Sequence, residues 1–474
     1  MRCVSWRSIF GRHEPRPRTL QSERSRTLSA LALCILGFPA GALADDLLAV
    51  YRQARDYDAR WRSANAAYRA GLEKLPQGRS LLLPSLALKG QKIYTDGDIE
   101  YLDPSPFTSG ERDYDFGEYG VDLTQPLYRK ESFALYGKAK AHVGLVEADF
   151  RAAQVDLIER VADSYFEMLF AQHDVRLSEA ETASFKSQWE RARERHRAGI
   201  ATLLDVYETQ AKYDLAVSNE LKARKELDIK RESLRKLLGH VPAELAELMP
   251  QPTLPTVRPE TADEWVAIAE KHNPQLASVR FAAEEAEQEL QRARGSHHPT
   301  VDFVAGYSMT RTTGSVYTDS ASRAELYSYG VQVEVPLYKG GALNSQVREA
   351  ASLRDKAKED LEEVRRTVAL ETRQAFLEVT HSLAEMKAME QALRSAELQL
   401  SSTKSGLNAG VRTTTDLLQA EQQVFAAKRD LARARYAYCT KIVQLHAAAG
   451  TADEEILAVI NALLAGAQGT ASKT

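Results

Sequence analysis

The sequence predicts a mainly α-helical fold with a membrane β-barrel portion, laid out twice along one chain. Three observations predict it. First, the chain repeats itself in a fixed order. "YGVDLTQPLYRKESF" (Tyr119 to Phe133) matches "YGVQVEVPLYKGGAL" (Tyr329 to Leu343), and "RAGIATLLDVYETQ" (Arg197 to Gln210) matches "NAGVRTTTDLLQAEQ" (Asn408 to Gln422). Second, each copy carries apolar residues in strict alternation, the period of a strand. Third, each copy carries a long charged run almost without Gly or Pro, the signature of extended helices.

The N-terminus has the layout of a secretory signal. Arg16, Arg18, Arg24 and Arg26 precede an apolar run from Leu28 to Phe38, and "AGALADD" places Ala42-Leu43-Ala44 in the small-x-small cleavage pattern. Residues 1–44 are therefore read as a signal peptide, with Asp45 the first mature residue. Cutting there removes seven Arg and two Glu from 62 basic and 66 acidic residues, leaving a net charge near −9. That balance argues against nucleic acid as a partner. Cys3 and Cys34 leave with the signal, so only Cys439 remains and no intrachain disulfide can form. Cys34 follows Leu33 rather than a small residue, so it reads as part of the apolar run and not as a lipid-modified Cys.

Residues 45–239 form the first repeat and residues 263–450 the second. Each reads as helix, strand, loop, strand, long helix, break, helix. In "VDFVAGYSM", Val301, Phe303, Ala305, Tyr307 and Met309 fall on one face, and in "YSYGVQVEV" Tyr327, Tyr329, Val331, Val333 and Val335 do the same. Tyr119, Val121 and Leu123 alternate in the first repeat. Such strands, with aromatic residues near their ends, fit a membrane barrel. Four strands per chain cannot close one, because a bilayer tolerates no open sheet edge and the smallest barrels have about eight strands. A barrel must then be shared between subunits.

The helical runs are long. From Tyr128 to Ala198 an apolar series (Val143, Val146, Phe150, Leu157, Val161, Met168, Val175, Phe185) recurs at threes and fours. A second line, Tyr165, Phe166, Leu169 and Phe170, lies beside it, as expected for helices packed on both sides in a cylinder. Leu361, Val364, Val368, Met386, Leu393, Leu400 and Leu407 continue the pattern in the second repeat. Between the repeats, five prolines across residues 240–262 exclude a continuous helix and predict an extended linker. Residues 451–474 read as a loosely ordered polar tail.

No catalytic residue, cofactor or metal site is expected. The chain has no phosphate-binding Gly loop, no HExxH and no nucleophile constellation, and His297-His298 read as surface residues beside Pro299. The helix breaks carry the informative chemistry. Gly199 and Gly410 suit a helix end, the Thr residues after them suit the next helix start, and Asp205 and Asp416 suit a helix N-terminus through its dipole.

At these breaks the chain resembles the TolC family, the outer-membrane exit ducts of Gram-negative bacteria. The "DDLLAVYRQARDYDARW" opening, the paired "QPLY" and "VPLY" strand ends, and the segments from "AGIATLLDVYETQ" and "AGVRTTTDLLQAEQ" onward carry the resemblance. It implies a homotrimer with a 12-stranded β-barrel in outer-membrane lipid and a 12-helix periplasmic α-barrel. It implies a passive export duct for type I protein secretion or multidrug efflux. The partners it implies are a periplasmic adaptor (membrane fusion) protein and an inner-membrane ABC or proton-driven transporter. The breaks then form the periplasmic tip. Arg412 would bond Asp205 to hold the entrance shut, and Asp416 would form a ring of carboxylates that repel one another and raise their apparent pKa. The family's second acidic ring falls on Gln419 and its constriction Tyr on Leu407, two departures. Gly199, Ile200, Gly410 and Val411 match the adaptor-docking grooves. A structural coiled-coil envelope protein without transport is the alternative, and it leaves the paired amphipathic hairpins unexplained.

Overall fold

The computed structural model describes residues 44–102, 106–249 and 255–465. The expected signal peptide lies outside the described residues, Ala44 apart. The first repeat runs α1 (Leu47–Tyr57), α2 (Ala59–Leu72), α3 (Lys74–Ser80), β1 (Ser85–Ile99), β2 (Gly110–Arg129), α4 (Lys130–Arg197) and α5 (Leu203–Leu238). The second runs α6 (Ala262–His272), α7 (Pro274–Gly295), β3 (Thr300–Thr312), β4 (Ser322–Glu334), α8 (Ala342–Asn408) and α9 (Thr414–Ala448), followed by α10 (Glu454–Asn461). Helix α4 has 68 residues and α8 has 67. Each is therefore about 100 Å long at 1.5 Å per residue.

The two apolar lines read along α4 share one core, which holds Leu157, Val161, Met168 and Val175 of the first line and Tyr165, Phe166 and Leu169 of the second. Leu157, Ile158, Val161, Tyr165, Phe166 and Leu169 are buried against α1, against Tyr438, Cys439, Ile442 and Val443 of α9, and against α10. The Tyr165 hydroxyl donates to the carbonyl oxygen of Ala246 at 2.8 Å, which anchors the inter-repeat segment to the middle of α4. Backbone bonds hold that segment further, from Ala246 N to Asp45 O (3.1 Å) and from Met249 N to Leu463 O (3.0 Å). Burial pushes the Cys439 thiol up to about 12, so it is inert as a nucleophile.

Over residues 451–465 the expected loose polar tail is corrected by α10, and the rest of it lies outside the described residues. Asp453 caps this helix, and Leu457, Ile460 and Leu464 are fully or almost fully buried. Leu457 and Ile460 lie on one helical stripe facing the core, and Leu464 follows just past the helix end, where it bridges Leu248; the small and polar neighbours conceal this arrangement. Asn461 adds two bonds to the N-terminal segment. Its Oδ1 accepts from Leu47 N at 3.0 Å, and its Nδ2 donates to Asp46 Oδ2 at 2.9 Å.

Helix α4 also carries Asp156, Glu159, Asp163 and Glu167 at helical spacing, next to Lys441 and Gln444 of α9. Burial raises Asp163 to about 6, and repulsion from Glu159 and Glu167 adds to it. Burial likewise raises Glu159. A carboxyl whose pKa rises on folding opposes stability once it ionises, from the ordinary aspartate value upward through its folded value. Asp163→Asn is therefore expected to stabilise the protein near pH 7 by about 1 kcal/mol, after allowing for partial solvent access. The gain disappears below about pH 4, where both folded and unfolded carboxyls are protonated. Thermal unfolding at the two pH values checks this, and an equal gain at both would contradict it.

The strands form one antiparallel sheet in the order β1-β2-β3-β4, so β1 and β4 each keep one edge unpaired within the chain. Register sets the two faces. Leu86 lies opposite Leu123, which lies opposite Ala305, which lies opposite Tyr329. Leu88, Val121, Tyr307 and Tyr327 make the next row. This face is apolar yet open, with Leu88 83% and Tyr329 84% exposed. The rows between are polar. Lys89 pairs with Asp122 at 2.6 Å, and Gln91 Nε2 donates to Glu118 Oε2 at 2.7 Å. At the base of the sheet, Arg129 grips Asp302 with two bonds, at 2.7 and 2.5 Å. An apolar face that water would penalise by about 25 cal/mol per Å² is a face for lipid. Among the described residues no helix is long and apolar enough to cross a membrane.

Candidate functional site

The two breaks are built alike, residue for residue. Helix α4 ends with Gly199 at φ +74° and α8 with Gly410 at φ +76°. Gly199 N donates to His196 O (2.9 Å) and Ile200 N to Arg195 O (2.8 Å). Gly410 N donates to Leu407 O (3.1 Å) and Val411 N to Gly406 O (2.9 Å). Each break is thus a Schellman motif, in which a left-handed residue lets two amides satisfy the last carbonyls of the helix. Glycine takes that conformation without steric cost.

The next helix starts with a reciprocal cap. Asp205 N donates to Thr202 Oγ1 at 3.1 Å, and Thr202 N donates to Asp205 Oδ2 at 2.9 Å. The second copy repeats both bonds between Asp416 and Thr413, at the same distances. Sequence reading identified these Asp residues as suited to a helix N-terminus, and this is the partner each one has in the chain.

Arg412 is exposed, and its side chain lies against Gly406. Among the described residues no hydrogen bond or ion pair joins it to Asp205 inside the chain, and the Asp205 carboxylate bonds to Thr202. The expected rise in the Asp416 pKa belongs to a ring of copies, and within one chain the shift is downward. The Thr413 amide and hydroxyl, helped by the nearby Arg412 charge, hold the Asp416 carboxyl below the ordinary value. These bonds stabilise the ionised form.

The residues matched to docking grooves are the two turns themselves. Ile200 is 68% and Val411 77% exposed, in positions where the apolar residue of a Schellman motif often folds back on its own helix. Val411 Cγ2 does lie against Gly406, and both side chains still leave apolar surface at one end of the helices. Gln419 is exposed, and Leu407 lines a groove beneath the turns together with Arg195, Ile200, Asp205 and Glu421.

Sequence reading missed the contacts that join the two hairpins near these turns. Thr415 Oγ1 donates to Glu208 Oε2 at 2.5 Å, and Lys212 Nζ donates to Gln422 Oε1 at 2.8 Å. Glu421 is buried against Gln188. A signal for it existed, since Glu421 interrupts the apolar line of Leu417, Leu418 and Val424 on α9.

Comparison with known proteins gives a consistent result. A family model described as "Outer membrane efflux protein" matches residues 50–240 and 265–451. The chain is 30% identical over 442 residues to the outer membrane protein TolC of Escherichia coli, covering 91% of this chain and 88% of that one. It is 31% identical over 424 residues to the alkaline protease secretion protein AprF of Pseudomonas aeruginosa, covering 89% and 88%. Among solved structures, the outer membrane protein VceC of Vibrio cholerae superimposes with a TM-score of 0.73 at 20% identity, over 85% of this chain and 96% of that one.

Proposed function

The chain belongs to the outer membrane efflux protein family, and from that premise we propose that three copies close one export pore, gated and docked at the two helix turns. The protein is an outer-membrane channel of the efflux and type I secretion class, with its helices extending into the periplasm. It conducts cargo passively and is not an enzyme. Nothing in the relatives favours a coiled-coil envelope protein without transport.

The single observation that carries a pore shared between copies is the sheet, and the family resemblance chooses three copies over the two that would already supply eight strands. Four strands with two open edges and one exposed apolar face cannot stand alone in a bilayer, where each unpaired backbone group costs several kcal/mol. Edge-to-edge closure of three such sheets gives twelve strands. Exposed apolar residues on the helices agree with neighbouring copies, among them Leu215, Leu221 and Ile229 of α5 and Leu370 and Leu377 of α8. We assign residues 45–239 and 263–450 as the two repeats that make each subunit quasi-symmetric, residues 240–262 as their linker and residues 1–44 as the cleaved signal.

The turns form the periplasmic entrance. Because Arg412 and Asp205 do not meet inside a chain, we place the pair between neighbouring copies, Arg412 of one closing on Asp205 of the next. Asp416 faces the same lumen, one ring of carboxylates. Ile200 and Val411, raised on Gly199 and Gly410, dock a periplasmic adaptor that couples the duct to an inner-membrane ABC or proton-driven transporter. No cofactor takes part.

The test is a reconstitution. Protein extracted from the outer membrane is expected to run as a heat-modifiable trimer and to conduct in planar bilayers. Divalent cations are expected to block it, and to block Asp416→Asn less well, because that variant keeps the capping oxygen and loses the charge. A monomer in the periplasmic soluble fraction would end the pore reading. Full block of Asp416→Asn would end the ring.

A further inference from the structure

The end of the sheet farthest from the helices carries a line of cations. Lys92 of β1 lies opposite Gly117 of β2, which lies opposite Arg311 of β3, which lies opposite Arg323 of β4. These cations stand on the same strands as Leu88, Tyr307 and Tyr327, an even number of residues further along, so they share the apolar face. The row between holds Gly90, Tyr119, Met309 and Glu325. Along β3 the apolar series from Val301 to Met309 covers about 27 Å of strand, or about 20 Å of height at a barrel tilt of ~40°. The cations therefore begin where the apolar band of a membrane barrel, about 25 Å tall, comes to its end. All three are exposed. With the helices in the periplasm, this end of the sheet meets the outer leaflet.

We propose that this row holds the phosphate groups of a phosphorylated glycolipid in the outer leaflet. The inference rests on the barrel reading, which puts the apolar face in lipid. The charges along the row support it. Arg311 and Arg323 stand directly opposite each other, a placement in which like charges repel. Glu325 pairs with Arg323 at 2.7 Å and Asp115 with Lys92 at 3.0 Å. Arg311, in the middle, lies near the Asp115 charge but makes no direct ion pair among the described residues. An anion placed beside it relieves the repulsion.

The shape of the row supports it too. A Cβ added at Gly117 would meet only the Arg311 carbonyl oxygen, at 3.8 Å, so the surface is bare between Lys92 and Arg311. Those two residues are two strand spacings apart, about 10 Å, which leaves room for a phosphate between the ends of their side chains. Lys92 Nζ lies 4.7 Å from the centre of the Tyr94 ring. Long basic side chains and tyrosines at such a border keep their apolar parts beside acyl chains and reach the head groups with their polar ends. A guanidinium meets phosphate with paired, charge-assisted bonds. Acyl chains lying on Leu88, Tyr307 and Tyr327 would tether that phosphate beside the row, an advantage that free phosphate lacks.

The test follows the melting temperature of the purified, delipidated trimer in detergent as lipid A, the phosphorylated glycolipid anchor of lipopolysaccharide, is added. Lipid A is expected to raise it by several degrees, because a ligand that binds the folded trimer alone stabilises it. Lys92→Gln/Arg311→Gln/Arg323→Gln is expected to lose most of that shift and Arg311→Gln about half, given the two flanking cations that remain. Arg311→Gln carries the test if the triple variant does not assemble. Lys130→Gln/Lys339→Gln removes two exposed cations at the opposite end of the strands and is expected to keep the shift. Lipid A stripped of its phosphates, phosphatidylglycerol and inorganic phosphate are each expected to shift the wild type less. A full shift in the triple variant or in Arg311→Gln overturns the site. So does an equal shift from any of the three comparison ligands, or a loss in Lys130→Gln/Lys339→Gln as large as in the triple variant. A wild type that conducts in planar bilayers yet ignores lipid A overturns the site alone, whereas a protein that forms no conducting trimer overturns the barrel reading and the site with it.

Discussion

Arg412→Ser is expected to raise the single-channel conductance of the reconstituted pore about fivefold to tenfold, the population shift that ~1–1.4 kcal/mol of closed-state stabilisation would give. The reasoning starts from what Arg412 lacks. It is exposed and, among the described residues, makes no direct ion pair in its own chain beyond lying near the Asp416 charge, yet it follows directly on the rigid turn at Gly410-Val411. A guanidinium at a fixed place, with a carboxylate on the next copy, can form the paired bonds that neither Lys nor an unanchored Arg makes as well.

The partner has two roles, and substitution can separate them. Asp205 caps α5 through Thr202. Asp205→Asn keeps an oxygen for the cap and removes the charge, so it is expected to open the pore as Arg412→Ser does, without loss of stability. Asp205→Ala removes both, and costs about 1 kcal/mol of stability in addition. Adding Arg412→Ser to Asp205→Asn is expected to change conductance no further, because the pair is already broken. Unchanged conductance in both single variants, with trimers intact, would remove the pair from the gate.

The second large effect lies at the other end of the chain. Ending the protein after Ala452 is expected to abolish the assembled channel. The deletion removes Leu457, Ile460 and Leu464, each at most 1% exposed, together with Ile456 and Leu463. At about 2 kcal/mol for each buried aliphatic side chain, the loss is of order 10 kcal/mol, which matches the whole stability of an ordinary domain. The bonds between Asn461 and the start of α1 go with it. Leu457→Ala is the graded version, expected to cost about 2–5 kcal/mol while leaving some trimer to measure. The readout is the amount of heat-modifiable oligomer in the outer membrane. Wild-type amounts of the truncated protein, with an unchanged melting temperature, would show that α10 is dispensable.

These two predictions sit on opposite sides of what the sequence made legible. The turns were readable because their chemistry is local. A Gly that ends a helix and a Thr three residues before an Asp are each within one turn of what they satisfy, so Gly199, Thr202 and Asp205 announce themselves. The strands were readable for the same reason, since Tyr329, Val331 and Val333 alternate without reference to anything distant. Helix α10 was hidden although its apolar spacing is regular. Its weight depends on a core supplied by α1, α4 and α9, and nothing within the segment tells that such a core awaits it. Glu421 was hidden more deeply. A Glu on an apolar line is visible, but its meaning lies in Gln188, on the other repeat. The absence of an Arg412–Asp205 contact inside the chain belongs to the same class, because the resemblance implied the pair and could not say which copies supply it.

The two Schellman turns have a consequence for how such a protein changes over generations. Gly199 and Gly410 hold left-handed backbone, so any other residue there strains the turn. Ile200 and Val411 are the next residues along, and their side chains are largely exposed. Exchanging them alters the surface without disturbing the bend that carries it. One residue is bound to architecture and its neighbour is not, so under the docking role proposed for these turns partner preference could shift by single substitutions while the duct that presents it stays the same.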